Sequence, residues 1–367
     1  MADCGFYIGI DMDDAYAVTS YITVGMTEPA TVGMVAGSEV YQIPVPTAAK
    51  SDTEELTAFI RKLITYASTA CGMREPDGLA ITVPKVTKEI SDFFHNIGAA
   101  FGIAREKCLV MDHKTAFYYF VMNQKEDLWL HDVCLYDYNG NQMQCLRLER
   151  NLSTEPQLVT IDEAVVEMAS DNQDDAFYEL LISQMNGHIV SAVYLVGNAF
   201  DGGWMQNSLN YVCRGRRVFM GKNLYAKGAC YGMTVCNREL PWKFAYLGDN
   251  ELKVNVNLKV RNCGKEEFYT LLSAGDNRFE AGGSCEVIPD DTNDVAIWMQ
   301  LPNSREAKVE VLTLSDLPER ENRTTRLKVT AQPVSDIEVR IQIKDMGFGE
   351  IVKSSGLTWE YIMSCVS

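Results

Sequence analysis

The sequence predicts a duplicated α/β core followed by an antiparallel β-sandwich, with lobes over 1–126 and 127–239 and the sandwich over 240–367. Three observations carry this. An apolar run ending in an aspartate and a tight turn occurs at Ile8-Gly9-Ile10-Asp11 and again at Val133-Cys134-Leu135-Tyr136-Asp137. Helical patterns follow each copy, which implies two related halves with a cleft between them. From about Leu240 the texture changes, and Leu252, Val254, Val256, Leu258 and Val260 alternate with Lys253, Asn255, Asn257 and Lys259. Alternation at period two marks a strand with one face buried. A length of 367 residues leaves room for about two to three domains.

The first hairpin pairs Tyr7–Asp11 with a second strand through Ala17, Thr19, Tyr21 and Thr23, read as half-buried. Short strands are expected between Val32 and Val45, closed by Pro44 and Pro46. Ser51 and Glu54 have capping-box spacing, so a helix is expected to start at Ser51. Its apolar stripe is Leu56, Phe59, Ile60, Leu63, Ile64 and Ala67. Leu79–Val83 reads as a buried strand stopped by Pro84, and Ile90, Phe93, Phe94, Ile97 and Phe101 mark a second helix. Cys108–Met111 is a strand and Thr115–Met122 a helix whose aromatic run, Phe117–Phe120, suits core packing. The second hairpin turns at Tyr138–Asn141 into Met143–Leu148. Helices are expected around Ile161–Met168 and Ala176–Met185, then a strand at Ala192–Val196, a helix near Met205–Val212 and another over Lys222–Met233. That last helix carries Ala226, Gly228, Ala229 and Gly232, a face for close packing. Beyond Pro241, Phe268–Leu272, Val295–Leu301, Val309–Leu314 and Ile337–Ile343 are strand-like between turn clusters, as in a sandwich.

A formal net charge of −17 argues against nucleic-acid binding, which needs a basic surface to displace counterions. Arg214, Arg216 and Arg217 form the one tight basic cluster and read as a solvated loop. Met1–Cys4 lacks a basic n-region, and no stretch approaches the ~18 apolar residues of a membrane span. The eleven cysteines are odd in number and never spaced Cys-x-x-Cys, which suits a reducing cytoplasm and gives no zinc site. The four histidines, His95, His113, His131 and His188, have no helical i,i+4 pairing and are not expected to bind metal.

The order of these motifs resembles the actin-like ATPase superfamily, whose core is ribonuclease H-like, and more closely the 70-kDa heat-shock chaperones. Ile8-Gly9-Ile10-Asp11 is similar to the first phosphate-loop strand. Leu79–Pro84 is similar to the strand before the first connecting helix, and Asp112-His113-Lys114-Thr115-Ala116 to the Asn-Glu-Pro-Thr-Ala stretch. Leu135-Tyr136-Asp137 with Gly140 resembles the second phosphate loop, and Tyr194–Gly197 the entry to the adenosine loop. Ala226–Ala229 resembles the closing helix, and Val329–Gly356 the last strands of the peptide-binding sandwich.

The resemblance implies catalytic-type positions at Asp11, Asp137 and His113. It implies nucleotide contacts at Asp11, Asp13, Gly140, Gly197 and Asn198, and a divalent metal on Asp11 and Asp137. The chain departs from the pattern in its chemistry. There is no room for the outer subdomains. Asp13, Asp14 and Ala15 replace a glycine and two threonines, His113 stands in place of the catalytic glutamate, and Asn198 follows Gly197 where a second glycine belongs. Phosphate loops need bare backbone N–H groups, and a carboxylate near a phosphate opposes it by about 1 kcal/mol at 4 Å in water and about 4 at an effective dielectric near 20.

The expectation is therefore a degenerate chaperone-like protein of the cytoplasm, non-catalytic, needing no cofactor, that binds a protein or peptide partner or acts as a scaffold. It would engage neither nucleic acid nor membrane. The alternatives are an ATPase with Mg-ATP or Mg-ADP in the interlobe cleft, and an actin-like filament former. Asp11-Met12-Asp13 also matches the Asp-x-Asp pair of haloacid dehalogenase-type phosphatases, but the alternating strand that follows favours the hairpin. No Gly-x-Ser-x-Gly supports serine catalysis.

Overall fold

The computed structural model describes residues 5–33, 40–168 and 172–365. The expectations for Met1–Cys4, and those for residues 34–39 within Val32–Val45, lie outside the described residues. The chain divides into two compact units. One runs to Arg150 and resumes from Val159 to Lys243; the other joins Asn151–Leu158 to the chain from Phe244 onward.

In the first unit, β1 (Tyr7–Met12) and β2 (Tyr16–Ile22) form an antiparallel hairpin, with β3 (Ala30–Thr31) and β4 (Ile43–Pro44) pairing on β2. After α1 (Thr53–Cys71), β5 (Gly78–Val83) joins parallel to β1. After α2 (Lys88–Ala100), β6 (Cys108–Asp112) joins parallel to β5 and leads into α3 (His113–Met122). The sheet order is β3-β2-β1-β5-β6.

The second half repeats the plan with β7 (Asp132–Asn139), β8 (Gln142–Asn151), β9 (Gln157–Glu167), α4 (Gln173–Met185), β10 (Val190–Val196), α5 (Gln206–Val212), β11 (Arg217–Met220) and α6 (Leu224–Cys236). Its strands run β9-β8-β7-β10-β11, position for position the same order. Three adjacent strands followed by two parallel crossovers, twice over, give a duplicated mixed α/β architecture.

Four expectations change. Ile161–Met168 is not helical: Ile161–Glu167 is the second part of β9, and Met168 follows it. The spacing of Ile161, Ala164, Val165 and Met168 imitates a helix, yet Val159, Thr160, Ile161, Val165 and Val166 are β-branched and favour an extended backbone beside β8. Strand β2 is not half-buried: Ala17, Val18, Thr19 and Ser20 are all buried, because helices α1 and α6 both pack on it. Helix α1 is capped by Asp52 rather than Ser51; its carboxylate accepts from the amides of Glu54 and Glu55 at 2.8 and 3.5 Å. Arg217 is not in a loop; it opens β11 and pairs with Asp127 at 2.7 Å.

Helix α6 fits closely against the first lobe. A Cβ on Gly228 would sit 2.0 Å from the Ala116 carbonyl oxygen, and one on Gly9 would sit 2.3 Å from that of Ala226. Small residues let helix backbone approach helix and strand, and Ala226 and Ala229 are fully buried beside them.

The second unit holds β12 (Phe244–Tyr246), β13 (Asn255–Asn262), β14 (Lys265–Leu272), β15 (Gly283–Val287), β16 (Asp294–Gln300), β17 (Ala307–Thr313), β18 (Arg326–Pro333), β19 (Glu338–Gly347) and β20 (Thr358–Ser364). Two antiparallel sheets, β14-β13-β16-β17 and β15-β18-β19-β20, enclose one core that includes Val256, Leu258, Ile297, Val329, Ile341 and Ile343. Asp345 is fully buried at its edge. It accepts from Arg320 at 3.0 and 2.8 Å, from the Gly347 amide at 2.8 Å, and from the Ser355 amide and hydroxyl at 2.7 and 2.6 Å. Burial pushes this carboxyl up, but the Arg320 guanidinium and the Ser355 and Gly347 donors outweigh it and hold it well below the usual range. Among the described residues no helix is long and apolar enough to cross a membrane.

Replacing Asp345 by Ala leaves Arg320 without its buried partner and is expected to cost about 3–5 kcal/mol, read as a lower urea midpoint for the second unit. A depressed carboxyl stabilises the fold above its unfolded value of about 3.9 and loses that contribution as pH falls toward the folded value. Stability of the parent should therefore fall with acid below about pH 4, and Asp345→Ala should flatten that slope. In the first unit, Gly228→Ala forces α6 away from Ala116 and should cost about 1–3 kcal/mol, by the same measurement.

Candidate functional site

Side chains alternate along a strand, so Gly9 and Asp11 lie on one face of β1, the face that α6 covers. Gly9 admits the helix, and Asp11, two residues on, ends next to the first turn of α3. There His113 Nε2 lies 2.9 Å from Asp11 Oδ1, with side-chain exposures of 12% and 17%. Asp112 caps α3, accepting from the Thr115 amide and hydroxyl at 2.8 Å each, and so sets where the imidazole emerges.

The second half builds the matching arrangement. Asp137 lies on β7, and the Tyr225 hydroxyl in the first turn of α6 donates to its Oδ2 at 2.8 Å. The rings of His113 and Tyr225 stack on each other, with centroids 3.9 Å apart and planes 8° from parallel. The two arrangements share one spacing. Three residues after His113 comes Ala116, three after Tyr225 comes Gly228, and a Cβ on Gly228 would meet the Ala116 carbonyl oxygen at 2.0 Å. An aromatic ring followed at i+3 by a small residue therefore opens both helices, stacking ring on ring and backbone on backbone. Sequence reasoning named His113 and Gly228 but missed Tyr225, although this shared spacing was open to inspection.

Burial, the largest influence on His113, lowers its pKa. The Asp11 carboxylate, by charge and by hydrogen bond, together with Asp137 and Asp112, outweighs it and holds the imidazole above its ordinary value. Burial raises the Asp137 carboxyl against the opposing effects of the Tyr225 hydrogen bond and His113. Burial and Asp137 push the Tyr225 phenol well up, keeping it a donor.

The predicted loop residues are placed as follows. Asp13 Oδ1 accepts from the amides of Ala15 and Tyr16, at 2.6 Å each. These turn amides are the groups a phosphate would need, and the protein's own carboxylate takes them. Gly140 adopts φ +62° in the β7–β8 turn with open space around it, so it serves the turn. Gly197 adopts φ +102°, and a Cβ there would sit 2.3 Å from the Tyr138 carbonyl oxygen, so both the backbone and the space call for glycine. The Asn198 amide donates to Asn139 Oδ1 at 3.0 Å, and Asn139 Nδ2 donates to Asp137 Oδ1 at 2.6 Å. Asn198 Oδ1 is buried with no hydrogen-bond partner among the described residues, one unspent acceptor in this loop.

Asp11, His113, Tyr225, Asp137, Asn139 and Asn198 thus form one connected group, with Asp13 and Gly140 at its edges. The donor set fits a divalent metal poorly. Both oxygens of Asp137 already accept hydrogen bonds, and Asp11 faces an imidazole held toward its cationic form. The hairpin pairing of Asp11 with Val18 also leaves no helical excursion of the kind a phosphatase Asp-x-Asp pair precedes. Elsewhere His188 Nδ1 approaches Asp132 at 3.0 Å and Glu149 at 3.8 Å. Arg147 Nε holds that Glu149 at 2.7 Å, so the guanidinium supplies the cation there. The basic side chain Lys114 bridges to Glu163 on β9 at 2.9 Å, and Asn223 donates to Thr31 on β3 at 3.0 Å, tying the two halves across the cleft.

A profile described as the C-terminal part of a family of unknown function, DUF5716, matches residues 49–249, more than half of the chain. A second, described as a domain of unknown function, DUF8552, matches residues 251–365. No curated protein matches the chain.

Removing the imidazole by His113→Gln deletes a charge-assisted hydrogen bond, expected to cost about 1.5–3 kcal/mol of stability in the first unit. A raised imidazole pKa stabilises fully below the unfolded value near 6.5 and loses that contribution as pH rises through the folded value. Thermal stability of the parent should therefore fall as pH is raised from about 6.5, and His113→Gln should lose most of that slope.

Proposed function

The chain belongs to the DUF5716 family, and from the geometry of its cleft we propose that it is a degenerate, non-catalytic relative of the actin-like ATPases, nearest the 70-kDa chaperones, that works as a cytoplasmic protein-binding scaffold. The observation that carries this is the occupation of the ligand positions by the protein's own charges. The His113 imidazole faces Asp11 where a metal would sit, and the Asp13 carboxylate takes the turn amides where a phosphate would sit.

The repeated strand order and the place of Asp11 and Asp137 at the ends of equivalent strands support descent from that fold. The closed set of hydrogen bonds around Asp137 supports loss of the nucleotide cycle. Lysine and asparagine ties across the cleft favour one fixed arrangement of the halves over an opening and closing pair. The two-sheet unit from Phe244 onward and the acidic surface leave protein or peptide ligands as the partner class, with neither nucleic acid nor membrane.

Calorimetric titration with Mg-ATP and with Mg-ADP decides between this function and its alternatives. Neither nucleotide is expected to give heat or a thermal shift at millimolar concentration. Micromolar binding that Asp11→Ala abolishes would overturn the proposal in favour of a nucleotide-binding ATPase. Sedimentation of the parent chain should find no filaments with or without nucleotide; polymer that pellets would instead favour the actin-like filament reading.

A further inference from the structure

We propose that a groove in the first lobe, beside the β1–β2 turn, receives a basic amphipathic helix from a partner protein. This deepens the scaffold function and rests on it. The groove has a volume of about 1010 Å³ and lies between the β1–β2 turn, the chain entering α1, and the segment from the end of β5 into α2. Pockets for small molecules run to about 300–1,000 Å³, so this one is at the top of that range and open along its length.

Its floor is apolar, built from Leu56, Val83, Pro84, Ile90, Phe93 and Phe94. Ile90 and Phe93 come from α2, spaced three residues apart, and both are only partly buried. Three features point to the occupant. A helix laid into an apolar groove is held by anchors at i, i+3 and i+4, and the α2 side chains offer a ridge of matching period. The rim is acidic: Asp13, Asp14, Asp52 and Glu89 stand exposed around it against Lys50 and Lys85. Third, Asp52 and Thr87 cap the two helices that begin here, so their terminal amides are satisfied from within and do not recruit an anion. An apolar stripe flanked by lysine or arginine complements such a groove in both shape and charge.

The probe is a synthetic leucine–lysine amphipathic helix of about four turns, labelled for fluorescence anisotropy. Two controls accompany it, one permuted to erase its one-sided stripe and one with glutamate in place of lysine. The leucine–lysine helix is expected to bind the full chain, and the two controls to bind at least about tenfold more weakly, a difference of about 1.4 kcal/mol. The double variant Asp14→Lys/Glu89→Lys changes exposed side chains only and should weaken binding about tenfold or more. Glu319→Lys in the second unit, exposed as well, should leave it unchanged.

Equal binding of the permuted helix would overturn the proposal, since attraction would then be a matter of net charge alone. Equal binding of the double variant would overturn it because the helix would then sit elsewhere. Absence of binding overturns it too. Concentration-dependent dimerisation that the double variant abolishes would mean that a second copy of this chain fills the groove, and would also overturn it. The nucleotide titration is a separate readout, so a failed groove with flat nucleotide heats removes only this inference, whereas nucleotide binding removes the scaffold function itself.

Discussion

The structure of the first unit depends on how closely α6 approaches β1 and α3. Gly9 and Gly228 have no side chains at the two points where backbone meets backbone, and any added carbon there pushes the helix out. Only at that distance does the Tyr225 ring reach Asp137 while lying flat on His113. The cleft chemistry is therefore a consequence of helix packing, and the packing is a consequence of small residues at the right register.

Duplication explains why the two carboxylates are satisfied in parallel ways. Each half ends its first strand in an aspartate and answers it from the first turn of its last helix, His113 in one half and Tyr225 in the other. The difference between the two rings supplies the chemistry. An imidazole is held toward its protonated form beside Asp11, whereas a phenol, its pKa raised by burial, donates a neutral hydrogen bond to Asp137. Besides burial, the charge of Asp11 is among the influences that raise the Asp137 carboxyl. Both carboxylates favour the protonated form of the His113 imidazole, which in turn lowers the Asp137 carboxyl.

Much of this was legible in the residues. The two apolar strands ending in Asp11 and Asp137, the small face of α6 and the alternation of the second unit all follow from periodicity and residue type, which are local properties. What escaped was set by neighbours distant in sequence. Burial of Thr19 and Ser20 on β2 depends on α6, some two hundred positions away. The extended path of β9 depends on pairing, which a helix-like spacing of four apolar residues concealed. Asp52 displaced Ser51 as cap because cap choice turns on one residue of register, the least readable feature of a helix start. Tyr225 escaped because a buried aromatic residue is ordinarily core, and its role appears only once its partner strand is known.

A chaperone-like cycle requires two arrangements of the halves and a ligand with different affinity for each, since a ligand shifts an equilibrium only by that difference. Here a ligand entering the cleft would first have to displace His113 from Asp11 and Asn139 and Tyr225 from Asp137. Hydrogen bonds to charged groups contribute about 1.5–3 kcal/mol each, and a triphosphate would also meet the Asp13 carboxylate in the turn. These interactions within each half thus raise the free energy of the state a nucleotide would select, while the His113–Tyr225 stack and the Lys114–Glu163 and Asn223–Thr31 contacts join the halves. A cleft built this way favours one arrangement of the halves, and on the scaffold proposal recognition falls to surfaces that stay exposed in that arrangement.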